Sequence, residues 1–273
     1  MLNNLQAKVQ VAILPPKTDY ITGLPTYRIP FSNTVSALSY HSTSEIYILG
    51  TSAPTPFALP VDDDSRHEPP PPEEIDLPPL TPASTIYLLD RLTHTTISTQ
   101  ALDRFETILC ISTVSLEISE ITHERQDMVC IGTALLRGED LPTMGRIYIF
   151  AIIDVVPEPE RPETGKALKQ VAKEEVRGAV TALGGIGKQG FLLVAMGQKV
   201  MVRGLKEDGT VLPVAFMDVQ CYVSVARELG PLGPDATEGT GLCLIGDAVK
   251  GVWLAGYMVC DNFRHQHYIF PRE

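Results

Sequence analysis

The residues with the strongest claim to chemistry are Gly185-Ile-Gly187-Lys-Gln-Gly190, which match the spacing G-x-G-x-x-G. That spacing serves a pyrophosphate when the glycines open a helix, because the phosphate then meets the free N–H groups of the first turn. Here Phe191 to Gly197 follow, an apolar run closed by glycine with no helical period, so residues 185–190 read as a glycine-rich hairpin turn. A nucleotide-binding enzyme built on this loop is the remote alternative. The phosphate-loop pattern also fails, since its first glycine falls on Ala182 and Gln189 stands where magnesium needs a hydroxyl. From Val180 to Lys206 there are four bases, Lys188, Lys199, Arg203 and Lys206, and no acid. In a strand, Lys199, Met201 and Arg203 share one face, where they could meet an RNA phosphate or an acidic partner. The plain alternative is a strand face carrying solvated bases. His265 and His267 are two apart near the C-terminus, the other histidines are scattered, and Asp62 to Asp64 lack the spacing of a calcium loop. With no G-x-S-x-G elbow either, the expectation is no catalytic residue, no metal and no cofactor.

The elements that hold these residues are short β-rich runs separated by Gly, Pro and Asp, and they recur in similar groups. Gly-terminated runs stand at residues 46–50, 128–132, 191–197 and 242–246, each followed by a second run at 85–89, 146–150, 199–203 and 252–255. Ahead of each pair lies another candidate strand, at 35–40, 108–114, 180–183 and 222–226. Behind the first three comes a more polar one, at 96–102, 168–176 and 211–216. Leu168, Val171, Ala172 and Val176 have helical spacing, but their place in the repeat decides for a strand. Four strands per repeat build a β-propeller blade. The expected fold is all-β: a partial propeller of about three to four blades of four antiparallel strands, the ring not closed. An open array leaves unpaired edges, so the chain reads as a piece of something larger.

Composition agrees. A chain of 273 residues, 44% hydrophobic with a formal charge of −11, can build a core and has no general attraction for nucleic acid or anionic membranes. Between Pro54 and Pro82 lie seven acids, one base and 10 of the 22 prolines, so residues 53–83 are expected to be a disordered acidic loop. The five cysteines are far apart and read as small buried hydrophobes in a reducing compartment. There is no basic, apolar leader at the N-terminus and no run approaching the ~20 apolar residues of a membrane helix, so a soluble intracellular protein is expected.

The longest distinctive runs are Thr122-His-Glu-Arg125, Leu136-Arg-Gly-Glu-Asp-Leu141, Gly145-Arg-Ile-Tyr-Ile-Phe150, Val155-Val-Pro-Glu-Pro159, Met201-Val-Arg-Gly-Leu-Lys-Glu-Asp-Gly209 and Leu212-Pro-Val-Ala-Phe-Met-Asp-Val-Gln-Cys-Tyr222. Across residues 8–257 the chain resembles the C-terminal region of the largest subunit of the cleavage and polyadenylation specificity factor, in its fungal form. The resemblance implies the early blades of the last of three propellers (residues 1–257), within a nuclear, non-catalytic scaffold of pre-mRNA 3′-end processing. It implies as partners a WD-repeat subunit, a zinc-finger subunit, the endonuclease, poly(A) polymerase and pre-mRNA. The large DNA-damage-binding subunit and the splicing factor 3b propeller subunit share the architecture and are the alternative. After Tyr257 the resemblance stops, and residues 258–273 read as an unrelated, disordered tail.

Overall fold

A computed structural model describes residues 2–3, 9–10, 28–56, 80–119, 121–136, 142–159, 161–230, 240–249, 251–260 and 266–271. The chain divides into two units. The first, residues 1–31, contains a two-residue ribbon in which β1 (Leu2–Asn3) pairs antiparallel with β2 (Val9–Gln10). The second holds four antiparallel sheets of four strands. Sheet 1 is β3 (Thr34–His41), β4 (Ile46–Pro56), β5 (Leu80–Asp90) and β6 (Thr96–Ala101). Sheet 2 is β7 (Glu106–Glu117), β8 (Arg125–Leu135), β9 (Gly145–Asp154) and β10 (Lys166–Val176). Sheet 3 is β11 (Val180–Ile186), β12 (Phe191–Met196), β13 (Lys199–Leu205) and β14 (Val211–Asp218). Sheet 4 is β15 (Val223–Glu228), β16 (Leu242–Asp247), β17 (Val252–Cys260) and β18 (Gln266–Pro271). Each sheet is a meander, and the first strands β3, β7, β11 and β15 lie side by side. The fold is a partial β-propeller.

The apolar runs follow from burial on both faces. Successive side chains of a strand point to opposite sides. In β8, Val129 and Ile131 pack toward sheet 1, whereas Met128 and Cys130 pack toward sheet 3. In β12, Leu192 and Val194 meet sheet 2, and Leu193 and Ala195 meet sheet 4. Three such cores join sheets 1 to 2, 2 to 3 and 3 to 4, and none among the described residues joins sheet 4 back to sheet 1. Fully burying one Ile or Leu contributes about 1.5–3 kcal/mol, so these interleaved strips dominate the cohesion between blades.

The repeat also carries a shared backbone device. Every first strand has a bulge at the same place in its ladder, leaving Ser36, Leu109, Thr181 and Ser224 as the extra residues. In three blades the bulged hydroxyl donates to the carbonyl of the residue across the ladder: Ser36 to Gly50 at 3.1 Å, Thr181 to Ala195 at 3.4 Å and Ser224 to Gly246 at 3.1 Å. Gly50, Gly132 and Gly246 are therefore equivalent positions, and the third blade places Ala195 there. Gly197, which closes that blade's apolar run, belongs instead to the β12–β13 turn, at φ +54°.

Two expectations need adjustment. The hairpin of β4 and β5 runs further than expected, with Ala53 to Pro56 paired to Leu80 to Ala83 and Thr55 Oγ1 donating to the Thr81 carbonyl at 2.9 Å. Proline is compatible with such a ladder where its nitrogen faces away from the partner strand, so the loop is shorter at both ends than the sequence suggests. Its acidic centre lies outside the described residues. Residues 258–273 are not wholly a tail either: Met258 to Cys260 extend β17, and β18 completes the fourth blade, with Tyr257 facing Ile269. The physical reason is that β17 has a free edge, which a short strand of suitable residues covers. The segment with helical spacing, residues 168–176, is strand β10, and its bulge at Val171 accounts for the broken alternation.

Cys130 and Cys243 lie in the core, and Cys110 and Cys221 are half-buried. Burial pushes the Cys110 thiol up to about 12 and Cys243 to about 11, and raises Cys130 as well. Thiolate is the reactive form. Cys110, Cys130 and Cys243 are therefore expected to escape labelling by a disulfide reagent at pH 8 in the folded chain and to react fully in denaturant, as read by peptide mass spectrometry.

Candidate functional site

The four candidate bases do not converge. Lys188, in the β11–β12 turn, and Lys206, after β13, lie at one end of sheet 3, and Lys199 opens β13 at the other end. Lys199 Nζ sits 3.3 Å from Asp218 Oδ1 and 4.8 Å from the centre of the Phe216 ring. Arg203 is only 6% exposed. Its Nη1 donates to the Val211 carbonyl at 3.2 Å and to Glu174 Oε1 at 3.4 Å, tying β13 to β14 and sheet 3 to sheet 2. Burial holds its guanidinium below the usual arginine range. The shared face with Lys199 and Met201 is as expected, but this face packs against sheet 2, so Arg203 is not available to a macromolecular phosphate.

The glycine motif is a hairpin turn between β11 and β12, with Gly187 at φ +71° and Gly190 at φ +72°. A side chain at Gly190 would strike the Glu117 amide, since an ideal Cβ falls 2.8 Å from it, and that amide donates to the Gly190 carbonyl at 3.1 Å. The glycines thus seat the turn against β7.

The densest polar cluster is one the sequence did not single out. Glu106, 0% exposed, opens β7 and accepts from Thr133 Oγ1 at 2.5 Å, Tyr148 OH at 2.7 Å and Arg146 Nη1 at 3.1 Å. Arg146 also reaches Asp103 at 2.8 Å, and Lys173 reaches Asp103 at 2.7 Å while lying 5.4 Å over the Tyr148 ring. The sequence signal was Arg146 and Tyr148 at i and i+2, on one face of an otherwise apolar strand. At the opposite end of β7, His41 fastens the β3–β4 turn to sheet 2. The Ser44 N–H donates to Nδ1 at 3.1 Å, which leaves Nε2–H to donate to the Asp127 carbonyl at 3.1 Å. His265 lies outside the described residues.

The hydrogen bond from Lys173, reinforced by Arg146, holds the Asp103 carboxyl below the ordinary aspartate range. A carboxyl depressed on folding contributes stability that is complete above its unfolded pKa of about 3.9 and lost as pH falls through the folded value. Asp103 is more than half exposed, so the contribution is small. Asp103→Asn is expected to lower the melting temperature by about 1–3 °C across neutral pH. The gap should close below about pH 4, which circular dichroism melts at a series of pH values would check.

The two outer faces of the array are apolar and lack a neighbouring sheet among the described residues. On sheet 1, Ala37, Ser39 and His41 turn toward sheet 2, while Leu38, 62% exposed, and Tyr40 turn away, with Tyr40 against Tyr47 at 5.1 Å. On sheet 4, Cys243, Ile245 and Ala255 pack on sheet 3, while Val225, Leu244, Met258 and Val252, the last 72% exposed, lie on the far face.

Residues 83–264 match the family model described as CPSF A subunit region, a span that includes sheets 2 and 3 whole, β15 to β17 of sheet 4, and β6 with most of β5 of sheet 1. The chain belongs to the CPSF A subunit family. Among CPSF A relatives, it is 49% identical over 250 residues to protein cft1 of Neurospora crassa, covering 91% of this chain and 16% of that protein. It is 50% identical over 230 residues to protein cft1 of Aspergillus oryzae, covering 84% of this chain and 16% of that protein. Identity to protein cft1 of Schizosaccharomyces pombe is 32% over 239 residues, with 88% and 16% covered. The chain therefore spans about one sixth of the length of these CPSF A relatives.

Proposed function

We propose that this chain forms part of a non-catalytic scaffold subunit of the nuclear machinery that cleaves and polyadenylates pre-mRNA. The observation that carries this reading is the CPSF A match across residues 83–264. The geometry supports it, because the side chains with chemical potential are consumed by structure: Glu106 by three donors, Arg203 by the joint between sheets 2 and 3, and His41 by the joint between sheets 1 and 2. In the longer protein, further four-stranded sheets of the same kind cover Leu38 and Tyr40 on one side and Val225, Leu244 and Val252 on the other, since the same strand positions are covered by a neighbour within the array. The partners are the WD-repeat and zinc-finger subunits, the endonuclease and poly(A) polymerase.

Affinity purification of the full-length protein from fungal nuclei tests this. The eluate is expected to cleave a pre-mRNA carrying a poly(A) signal and to extend the cut end. Recovery of ubiquitin-ligase subunits or spliceosomal particles in its place would assign the protein to a cousin family. Within the same reading, RNA contact falls to Lys188, Lys199 and Lys206 acting separately. Replacing all three with Glu is expected to weaken RNA binding and flatten its salt dependence, and unchanged affinity would remove that assignment.

A further inference from the structure

Where β7, β11 and β15 finish, a cavity of about 370 Å³ opens between sheets 2, 3 and 4. Thr113 and Ser115 of β7, Arg125 of β8, Gly184 of β11, and Arg227 with Glu228 of β15 are among its walls. In a chain of net charge −11 this lining carries two guanidiniums against one carboxylate. That carboxylate is already engaged: Glu228 Oε1 accepts the N–H of Gly187 at 3.0 Å and of Gly241 at 2.8 Å. Glu117, opposite Arg125 in the ladder, is held by His123 Nδ1 at 2.8 Å. Among the described residues, neither Arg125 nor Arg227 forms an ion pair. The wall of sheet 3 is open as well, because a Cβ on Gly184 would meet no atom within 4 Å.

We propose that this cavity receives the phosphate of a phosphorylated side chain on a partner protein. Two guanidiniums match the charge of a phosphate monoester, and their planar donor forks match its oxygens. A lone carboxylate, with two oxygens, fills one guanidinium fork, whereas a phosphate has oxygens for both. An RNA strand fits less well, because its affinity comes from a track of cations along successive phosphates. Of the bases in sheet 3, Arg203 is buried and Lys199 pairs with Asp218 at the far end.

The test captures peptides on the immobilised full chain at low salt. One pool carries a central phosphoserine between randomised residues, the second carries serine there, and inorganic phosphate and a 20-nucleotide uridine strand serve as competitors. The phosphoserine pool is expected to be retained about tenfold or more over the serine pool. Retention should fall by a similar factor in Arg125→Gln and in Arg227→Gln, both exposed positions. It should fall likewise in Ser115→Asp, which puts a negative charge into the cavity. Equal retention of the two pools, or equal retention by parent and variants, overturns the proposal. Inorganic phosphate competing as tightly as the phosphopeptides would make this a free-ion site, and uridine binding abolished by the same substitutions would make it a nucleic-acid site; either result also overturns it.

Discussion

Glu106→Ala is expected to destabilise the chain by about 3–5 kcal/mol, the largest effect of any single polar substitution proposed for this protein. The carboxylate is fully buried and is the common acceptor for Thr133, Tyr148 and Arg146. Removing it leaves the Tyr148 hydroxyl without its acceptor, leaves Thr133 Oγ1 only the Arg146 carbonyl at 3.3 Å, and takes from Arg146, 19% exposed, its one fully buried counter-charge, so that Asp103 and Glu175 remain as its partners. A buried hydroxyl left without an acceptor costs about 1–3 kcal/mol, and losing the buried side of an ion pair adds to that. Glu106→Gln keeps an oxygen for the hydroxyls and loses the charge, so a smaller loss of about 1–3 kcal/mol is expected. The triple variant Glu106→Leu, Tyr148→Phe, Thr133→Val removes acceptor and hydroxyl donors together and should be more stable than Glu106→Ala. Urea denaturation midpoints read all three, and an alanine variant within about 1 kcal/mol of the parent would show that the cluster is not a structural joint.

Gly132→Val is expected to separate sheets 2 and 3. An ideal Cβ at Gly132 falls 2.5 Å from Val180 Cγ1 and 2.6 Å from Cys110 Sγ, well inside contact distance. The innermost strand of the next blade lies directly against the glycine, so even alanine requires Val180 or Cys110 to move. Overpacking of this kind costs about 1–3 kcal/mol for Gly132→Ala, and valine belongs at or beyond the upper end. Gly132→Ala combined with Val180→Ala clears most of the clash and should recover part of the loss. Gly184→Ala, where the new atom meets nothing, is the contrasting substitution and should leave the melting temperature nearly unchanged. If Gly132→Ala and Gly184→Ala melt together, the close approach of the blades is not what fixes glycine at 132.

The sheets could be read from the chain because a blade strand inside an array is apolar on both sides, and turn residues punctuate it at regular intervals. Even β10, whose Leu168, Val171, Ala172 and Val176 imitate a helix, was recoverable from its place in the repeat; the imitation arises from a bulge that shifts the alternation by one residue. β18 was harder. Tyr268, Ile269 and Phe270 are strong strand formers, but the run is short and isolated beyond the last recognised repeat, and β17 offers it an edge to pair with. Site chemistry was less accessible still. A count of bases grouped Lys188, Lys199, Arg203 and Lys206, yet antiparallel folding sends sequence neighbours to opposite ends of a sheet and turns Arg203 inward. Arg125 and Arg227, 102 positions apart, reach one cavity only because three first strands finish together. Glu106 was invisible as a joint because its partners lie on two other strands.

The alternation that buries each inner strand on both sides also sets how the array would come apart. Sheets 2 and 3 each share apolar strips with two neighbours, whereas sheets 1 and 4 share with one among the described residues. Such an arrangement behaves as a linear series of nearest-neighbour couplings. Fraying would begin at the outer blades and travel inward, leaving the amides of β8 and β12 as the last to exchange with solvent.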